Sequence, residues 1–176
     1  GETMRVVLNE LAQVAPAWLR SQVQGEWVER YGRRFDRSRL PKTQEKRHVL
    51  AERIGADGYE LLQAILAGTV HEEVRTWPRV EIMRQIWLQH YYVDDRSVHW
   101  RTRRTWGQPP ASRMISSPHD LDAKFRVKRS TSWIGYQVHL TETCESDAPR
   151  VITQVETTPA TTHDVHLTEP IQTDLI

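Results

Sequence analysis

Trp133-Ile134-Gly135-Tyr136-Gln137-Val138-His139-Leu140-Thr141, followed after a polar loop by Val151-Ile152-Thr153-Gln154-Val155-Glu156-Thr157-Thr158, is the most strongly patterned part of the chain. In the first segment Ile134, Tyr136, Val138 and Leu140 fall on one face and Gly135, Gln137, His139 and Thr141 on the other. This is the period-two alternation of a strand with one buried side. The second segment is rich in β-branched residues, whose stiff χ1 suits a pleated surface. The two read as neighbouring antiparallel strands. The connecting loop carries Glu145, Ser146, Asp147 and Pro149, and Pro159 ends the second strand because it has no amide hydrogen for the ladder. Two strands are not a stable sheet, so a third strand or a cover for the apolar face is required elsewhere in the chain.

Working outward, residues 1–92 read as a helical subdomain and residues 93–176 as a β-rich segment, giving a mixed α+β fold. Met4, Val7, Leu8, Leu11, Val14, Trp18, Leu19, Val23 and Trp27 recur at helical spacing, interrupted at Pro16, which suits the first turn of a second helix. Residues 30–42 lose that period, gain arginines and read as an exposed basic connector. Thr43 caps a helix from Gln44 that stops at Gly55. Asp57 and Glu60 imitate a capping box for a further helix closed by Gly68, and another runs from Pro78 to about Tyr92. Trp18, Trp27 and Trp87 fall on apolar stripes and belong to the core.

Beyond Val93 the helical period is lost. Val98 and Trp100 suggest a short strand, and Met114 and Ile115 the start of another. Ser117-Pro118-His119-Asp120 is a turn signature. Lys124 to Arg129 form either a basic edge strand or a loop, and Thr168, Glu169 and Pro170 resemble a helix start leading to Ile171 and Leu175.

The totals are less informative than their distribution. Lys and Arg number 24 against 23 Asp and Glu in 176 residues, but residues 144–176 hold a single basic residue, Arg150, and six acidic ones. Residues 1–143 therefore carry 23 basic against 17 acidic side chains, which makes a nucleic-acid partner plausible. The single cysteine, Cys144, excludes an internal disulfide framework and a multi-cysteine zinc site and fits a reducing compartment. No apolar run approaches bilayer length, and the first residues do not read as a signal peptide. Gly1 is not an initiator methionine and Ile176 falls within a helical pattern, so both ends look cut.

Certain blocks have a specific resemblance. Ser117-Pro118-His119-Asp120, the Lys-Arg before Trp133, Gly135 to Cys144 and Val155-Glu156-Thr157-Thr158-Pro159-Ala160 resemble, in order and spacing, the middle of bacterial insertion-sequence transposases of the DDE type. Glu29 to Arg34, Leu40-Pro41-Lys42, Ile54 to Gly58 and Arg84-Gln85-Ile86-Trp87 with Tyr91-Tyr92 are similar too, so the resemblance covers nearly the whole chain.

It implies a ribonuclease H-like mixed sheet flanked by helices, and a triad of acids holding two divalent metals, Mg2+ or Mn2+, for in-line phosphoryl transfer. By the same matching all three acids fall outside this chain. The chain is then expected to hold no catalytic residue or metal ligand of its own, only the insertion and an incomplete part of the sheet. It implies transposon-end DNA as partner, a homo-oligomer for the intact protein and a bacterial cytoplasmic, nucleoid-associated location. The family commonly has lysine where Gln137 stands and an aromatic at His119. The first departure puts a phosphate contact on that strand face in doubt.

The candidate DNA-contacting residues are Arg33, Arg34, Arg101, Arg103, Arg104, Lys124, Arg126, Lys128 and Arg129, which could neutralise phosphates, against the plainer reading of charge runs as solvated surface. Asp120 and Asp122 read first as turn aspartates rather than metal ligands. In His163-Asp164-Val165-His166 the aspartate is expected to cap the following helix. His139 reads as a hydrogen-bonded structural histidine, and Trp100 and Trp106 as packing rather than stacking residues.

Overall fold

The computed structural model describes residues 1–23, 25–33, 40–68, 70–102 and 107–174. The chain is a mixed helix and sheet protein with its helices first, divided into two compact units, Gly1–Pro109 and Pro110–Ile176. Sequence alone set that boundary near Val93. Among the described residues no helix is long and apolar enough to cross a membrane.

In the first unit, helix α1 (Glu2–Val14) buries Met4, Val7 and Leu11 on one stripe. It breaks at Ala15, and Pro16 opens α2 (Pro16–Gln22) where its missing amide costs nothing. Helix α3 (Gly25–Tyr31) contributes Trp27 and Tyr31 to the core. Those side chains meet Leu61 and Ile65 of α4 (Gln44–Leu66), Val74 of the short α5 (Glu72–Arg75) and Val80 and Met83 of α6 (Pro78–His90).

Helix α4 departs from expectation. Thr43 caps it as anticipated, its hydroxyl accepting from the Lys46 amide at 3.4 Å, but the helix does not stop at Gly55. It runs through Gly55, Asp57 and Gly58 for 23 residues. The glycines are docking surfaces instead of caps. A Cβ at Gly58 would lie 1.9 Å from the Trp87 ring, and one at Gly55 would lie 2.5 Å from Tyr91. Trp87 also donates its indole N–H to the Gly55 carbonyl at 2.9 Å. Asp57 is not a cap either. It is buried and accepts from the Tyr31 hydroxyl at 2.6 Å and from the Arg30 guanidinium. Burial and that carboxylate push the Tyr31 phenol well above its ordinary range, and the pair with Asp57 raises Arg30.

Helix α6 ends at His90, and the chain turns directly into a hairpin of β1 (Tyr91–Asp94) and β2 (Ser97–Trp100). Asp95 and Arg96, with φ of 43° and 64°, make the two-residue turn whose twist matches the strands. The hairpin leans on α4 through His99 near Glu52 at 3.4 Å and through Trp100 against the His48 ring. Trp100 is therefore a packing residue, as expected.

The second unit is an antiparallel sheet in the order β3-β4-β5, built from β3 (Lys124–Lys128), β4 (Thr131–Glu142) and β5 (Ile152–Pro159). The expected pairing of β4 with β5 is present, with Val138 opposite Thr157 and His139 opposite Glu156. The basic stretch is the edge strand, Arg126 opposite Trp133. Met114 and Ile115 form no strand. A 3-10 turn (Asp164–His166) and α7 (Thr168–Asp174) close the described chain.

One expectation is reversed. The face of β4 expected to be buried is bare: Ile134, Tyr136, Val138 and Leu140 are exposed, as are Phe125, Val127 and Val155 beside them. The polar face, with Gln137 and His139, is the half-buried one. Alternation fixed which residues share a face but not which face is covered, because covering is done by segments distant in sequence.

Replacing Gly58 by alanine, a favourable change in an exposed helix, is expected here to cost about 1–3 kcal/mol by overpacking against Trp87. A lowered midpoint in thermal unfolding of the first unit checks this, and a raised one would contradict the packing.

Candidate nucleic-acid interface

The basic residues of β3 alternate onto the polar face of the sheet, where they meet different fates. Lys124 donates its ammonium to the Met114 carbonyl at 3.2 Å and the Leu121 carbonyl at 2.9 Å. Arg126 donates to the Ala160 carbonyl at 2.7 Å, the Thr162 carbonyl at 3.1 Å and the Gln137 side-chain oxygen. Both cations are thus engaged with neutral carbonyls of their own unit, and a phosphate reaching them would displace built contacts. Lys128 and Arg129 are different: both are exposed at the β3–β4 turn, Arg129 in the left-handed region with φ of 55°. They present charge to solvent, which phosphate contact requires.

Gln137, where the resembled family carries lysine, fills a neutral role beside Arg126. Its amide nitrogen donates to the Thr162 carbonyl and lies 2.9 Å from His139 Nε2. His139 is enclosed, its side chain 9% exposed, with Nδ1 2.9 Å from Asp164 Oδ1 and Nε2 2.9 Å from the Thr158 hydroxyl. A ring protonated on Nδ1 satisfies every neighbour: it donates to Asp164 and accepts at Nε2. Asp164, expected to cap the following helix, is instead the first residue of a 3-10 turn and turns its carboxylate to His139. It ties the C-terminal segment to the sheet.

Carboxylate, imidazole and hydroxyl stand in the order of a proton relay. Their partners here are strand and segment, so the arrangement acts as a fastener across the polar face. Beside it opens a cleft of about 750 Å3, bordered by Lys128, Trp133, His139, Asp164, Thr168 and Ile171. None of this follows from sequence alone, although Arg126, Gln137 and His139 do alternate onto one face; the missing information was that residues 160–164 cross it.

In the first unit, Arg101 donates Nε to the Tyr91 carbonyl at 2.9 Å and lies 6.0 Å from the Tyr92 ring centroid. It borders an apolar cleft of about 330 Å3 with Tyr59, Trp87, Leu88 and Tyr92. Arg84 at the same cleft is held by Glu81 through contacts of 2.8 and 2.7 Å, which pull the Glu81 carboxyl down to about 2. Arg33 is exposed at the end of α3. Arg34, Arg103, Arg104 and Trp106 lie outside the described residues, so the sites the sequence marked are split between the two units.

The turn aspartates behave as turn residues. Asp120 accepts from the amides of Asp122 and Ala123, each at 3.1 Å, and from the Tyr136 hydroxyl at 2.9 Å. The Tyr136 bond, aided by those amides, holds the Asp120 carboxyl below the usual carboxylate range. Among the described residues no three His, Cys, Asp or Glu side chains come together to hold an ion.

Compared with known proteins, the chain matches no family model, no curated protein and no solved structure.

Arg126→Ala is expected to cost about 1.5–3 kcal/mol, the range for charge-assisted hydrogen bonds, and to release the C-terminal segment. Limited proteolysis should then cut within residues 160–174 faster than in the unaltered chain; an unchanged cutting rate would remove Arg126 as the clasp. For Tyr136→Phe the sign is set by the depressed Asp120 carboxyl. The tie is complete above the ordinary carboxylate range and is lost as pH falls through the lower folded-state value. Its removal should raise the Asp120 midpoint toward the ordinary value in a carboxyl NMR titration.

Proposed function

We propose that the chain is part of a DDE-type insertion-sequence transposase, one that contributes DNA-contacting surface and carries none of the three catalytic acids. The observation that carries this reading is the ordered series of sequence blocks resembling that family over nearly the whole chain, the strongest of them lying on β4 and β5. Lys128 and Arg129 are the residues best disposed for phosphate contact, because their charges stand free at a turn. Arg126 and Lys124 serve the fold first. The divalent metal of the intact enzyme would be held elsewhere, and the setting is the bacterial cytoplasm at the nucleoid.

A second reading, a non-catalytic module that binds DNA or an intact transposase, is favoured by the bare apolar sheet face, an exposed patch of the kind that marks interaction surfaces.

Filter-binding titrations of duplex DNA across salt test the shared element of both readings. Affinity should fall steeply with salt, and Lys128→Gln with Arg129→Gln should flatten the slope by about two phosphate contacts. No measurable binding at low salt would remove the first reading and the DNA-binding form of the second. A strand-transfer assay with magnesium or manganese separately tests the claim about the acids: robust activity from this chain alone would overturn it.

A further inference from the structure

We propose that the apolar cleft of the first unit binds a small amphipathic monocarboxylate, its apolar body lying between α4, α6 and the β1–β2 hairpin and its carboxylate on Arg101. The proposal goes beyond the DNA reading and does not rest on it.

Three elements wall the cleft. Tyr59, Leu62 and Leu66, spaced by three and four residues, form one stripe of α4. Trp87 of α6, its ring seated on Gly58, closes the floor with Leu62, and both are buried. Because α6 turns directly into β1 at Tyr91, the hairpin is held alongside and Val93 makes the third wall. Tyr59, Leu66, Leu88 and Val93 stand at the rim, 38–59% exposed. The enclosed volume of about 330 Å3 sits at the small end of ligand sites, which are mostly apolar with a few placed polar groups. One turn of an α-helix, about 10 Å across and ~5 Å long, occupies roughly 400 Å3. The cleft is therefore too small for a partner's helix and suits a short hydrocarbon body.

Charge selects the head group. Among the described residues that border the cleft none is acidic, and the charged ones are Arg84 and Arg101. Arg84 is already neutralised by both oxygens of Glu81. Arg101 spends Nε on the Tyr91 carbonyl, and among the described residues no carboxylate pairs with it. That bond, with the Tyr92 ring 6.0 Å from the guanidinium carbon, fixes the guanidinium before any ligand arrives. A single fixed guanidinium matches a single carboxylate, whose two oxygens its terminal N–H groups can reach together. A doubly charged phosphate would be left half matched.

Calorimetric titration of the full chain with octanoate, and with octanol as the uncharged control, tests this. Octanoate should bind one per chain with a Kd below about 1 mM, and Arg101→Gln should weaken it at least about tenfold while leaving octanol affinity unchanged. Leu88→Glu, at an exposed rim position, should weaken octanoate as much with an unchanged circular dichroism spectrum. Val138→Lys, on the bare sheet face of the second unit, should have no effect. No saturable octanoate binding below about 1 mM, octanoate affinity indifferent to Arg101→Gln or to Leu88→Glu, octanol affinity falling as far as that of octanoate in Arg101→Gln, or loss of binding in Val138→Lys would each overturn the proposal.

Discussion

The second unit depends on the clasp of Arg126. A guanidinium presents several donors in a fixed plane and has no acceptor of its own, so it seats where several carbonyl oxygens converge. Here they are two backbone carbonyls of the segment after β5 and the side chain of Gln137 on the central strand. With His139 and Asp164 continuing the line, the clasp commits the C-terminal segment to the polar side of the sheet. The consequence is thermodynamically odd for an isolated unit. Apolar burial, the main favourable term in folding, is forgone on one side so that a hydrogen-bonded polar layer can be enclosed on the other.

The first unit is built the opposite way. Its core is a continuous apolar cluster from Met4 to Trp87, and the buried carboxylate of Asp57 is answered by Tyr31 and Arg30. A buried carboxylate without those donors would be costly. That explains why a charged residue sits in the middle of α4 between two glycines that admit aromatic rings. The same helix thus offers close backbone approach to Trp87 and Tyr91 on one side and a fixed negative charge on another, onto which the basic end of α3 docks.

These two designs bear on function differently. In the first unit, charge that looks available in sequence is partly spent: Arg30 is paired inside and Arg84 is neutralised by Glu81. In the second, Lys124 and Arg126 are spent on carbonyls, and Lys128 and Arg129 retain exposed charge because they stand where the edge strand ends in a tight turn. A count of basic residues therefore overstates the surface offered to phosphate, and the positions within the strand pattern decide which cations remain.

Sequence by itself determined the elements governed by local physics. Period-two alternation and Pro159 bounded β4 and β5, Pro16 and Pro78 opened helices, and Thr43 capped one, since each of these acts on its immediate neighbours. It also identified which residues share a strand face. Only the tertiary structure decided the rest: that Gly55 and Gly58 admit rings instead of ending a helix, that Asp57 and Asp164 bind distant partners instead of capping, and that the polar face is the covered one. Those outcomes turn on contacts across 25 to 34 residues, such as Gly55 with Trp87, His139 with Asp164 and Arg126 with Ala160. A glycine, an aspartate or an arginine has the same local preferences whether or not such a partner arrives, so its own neighbourhood in sequence carries no sign of the outcome.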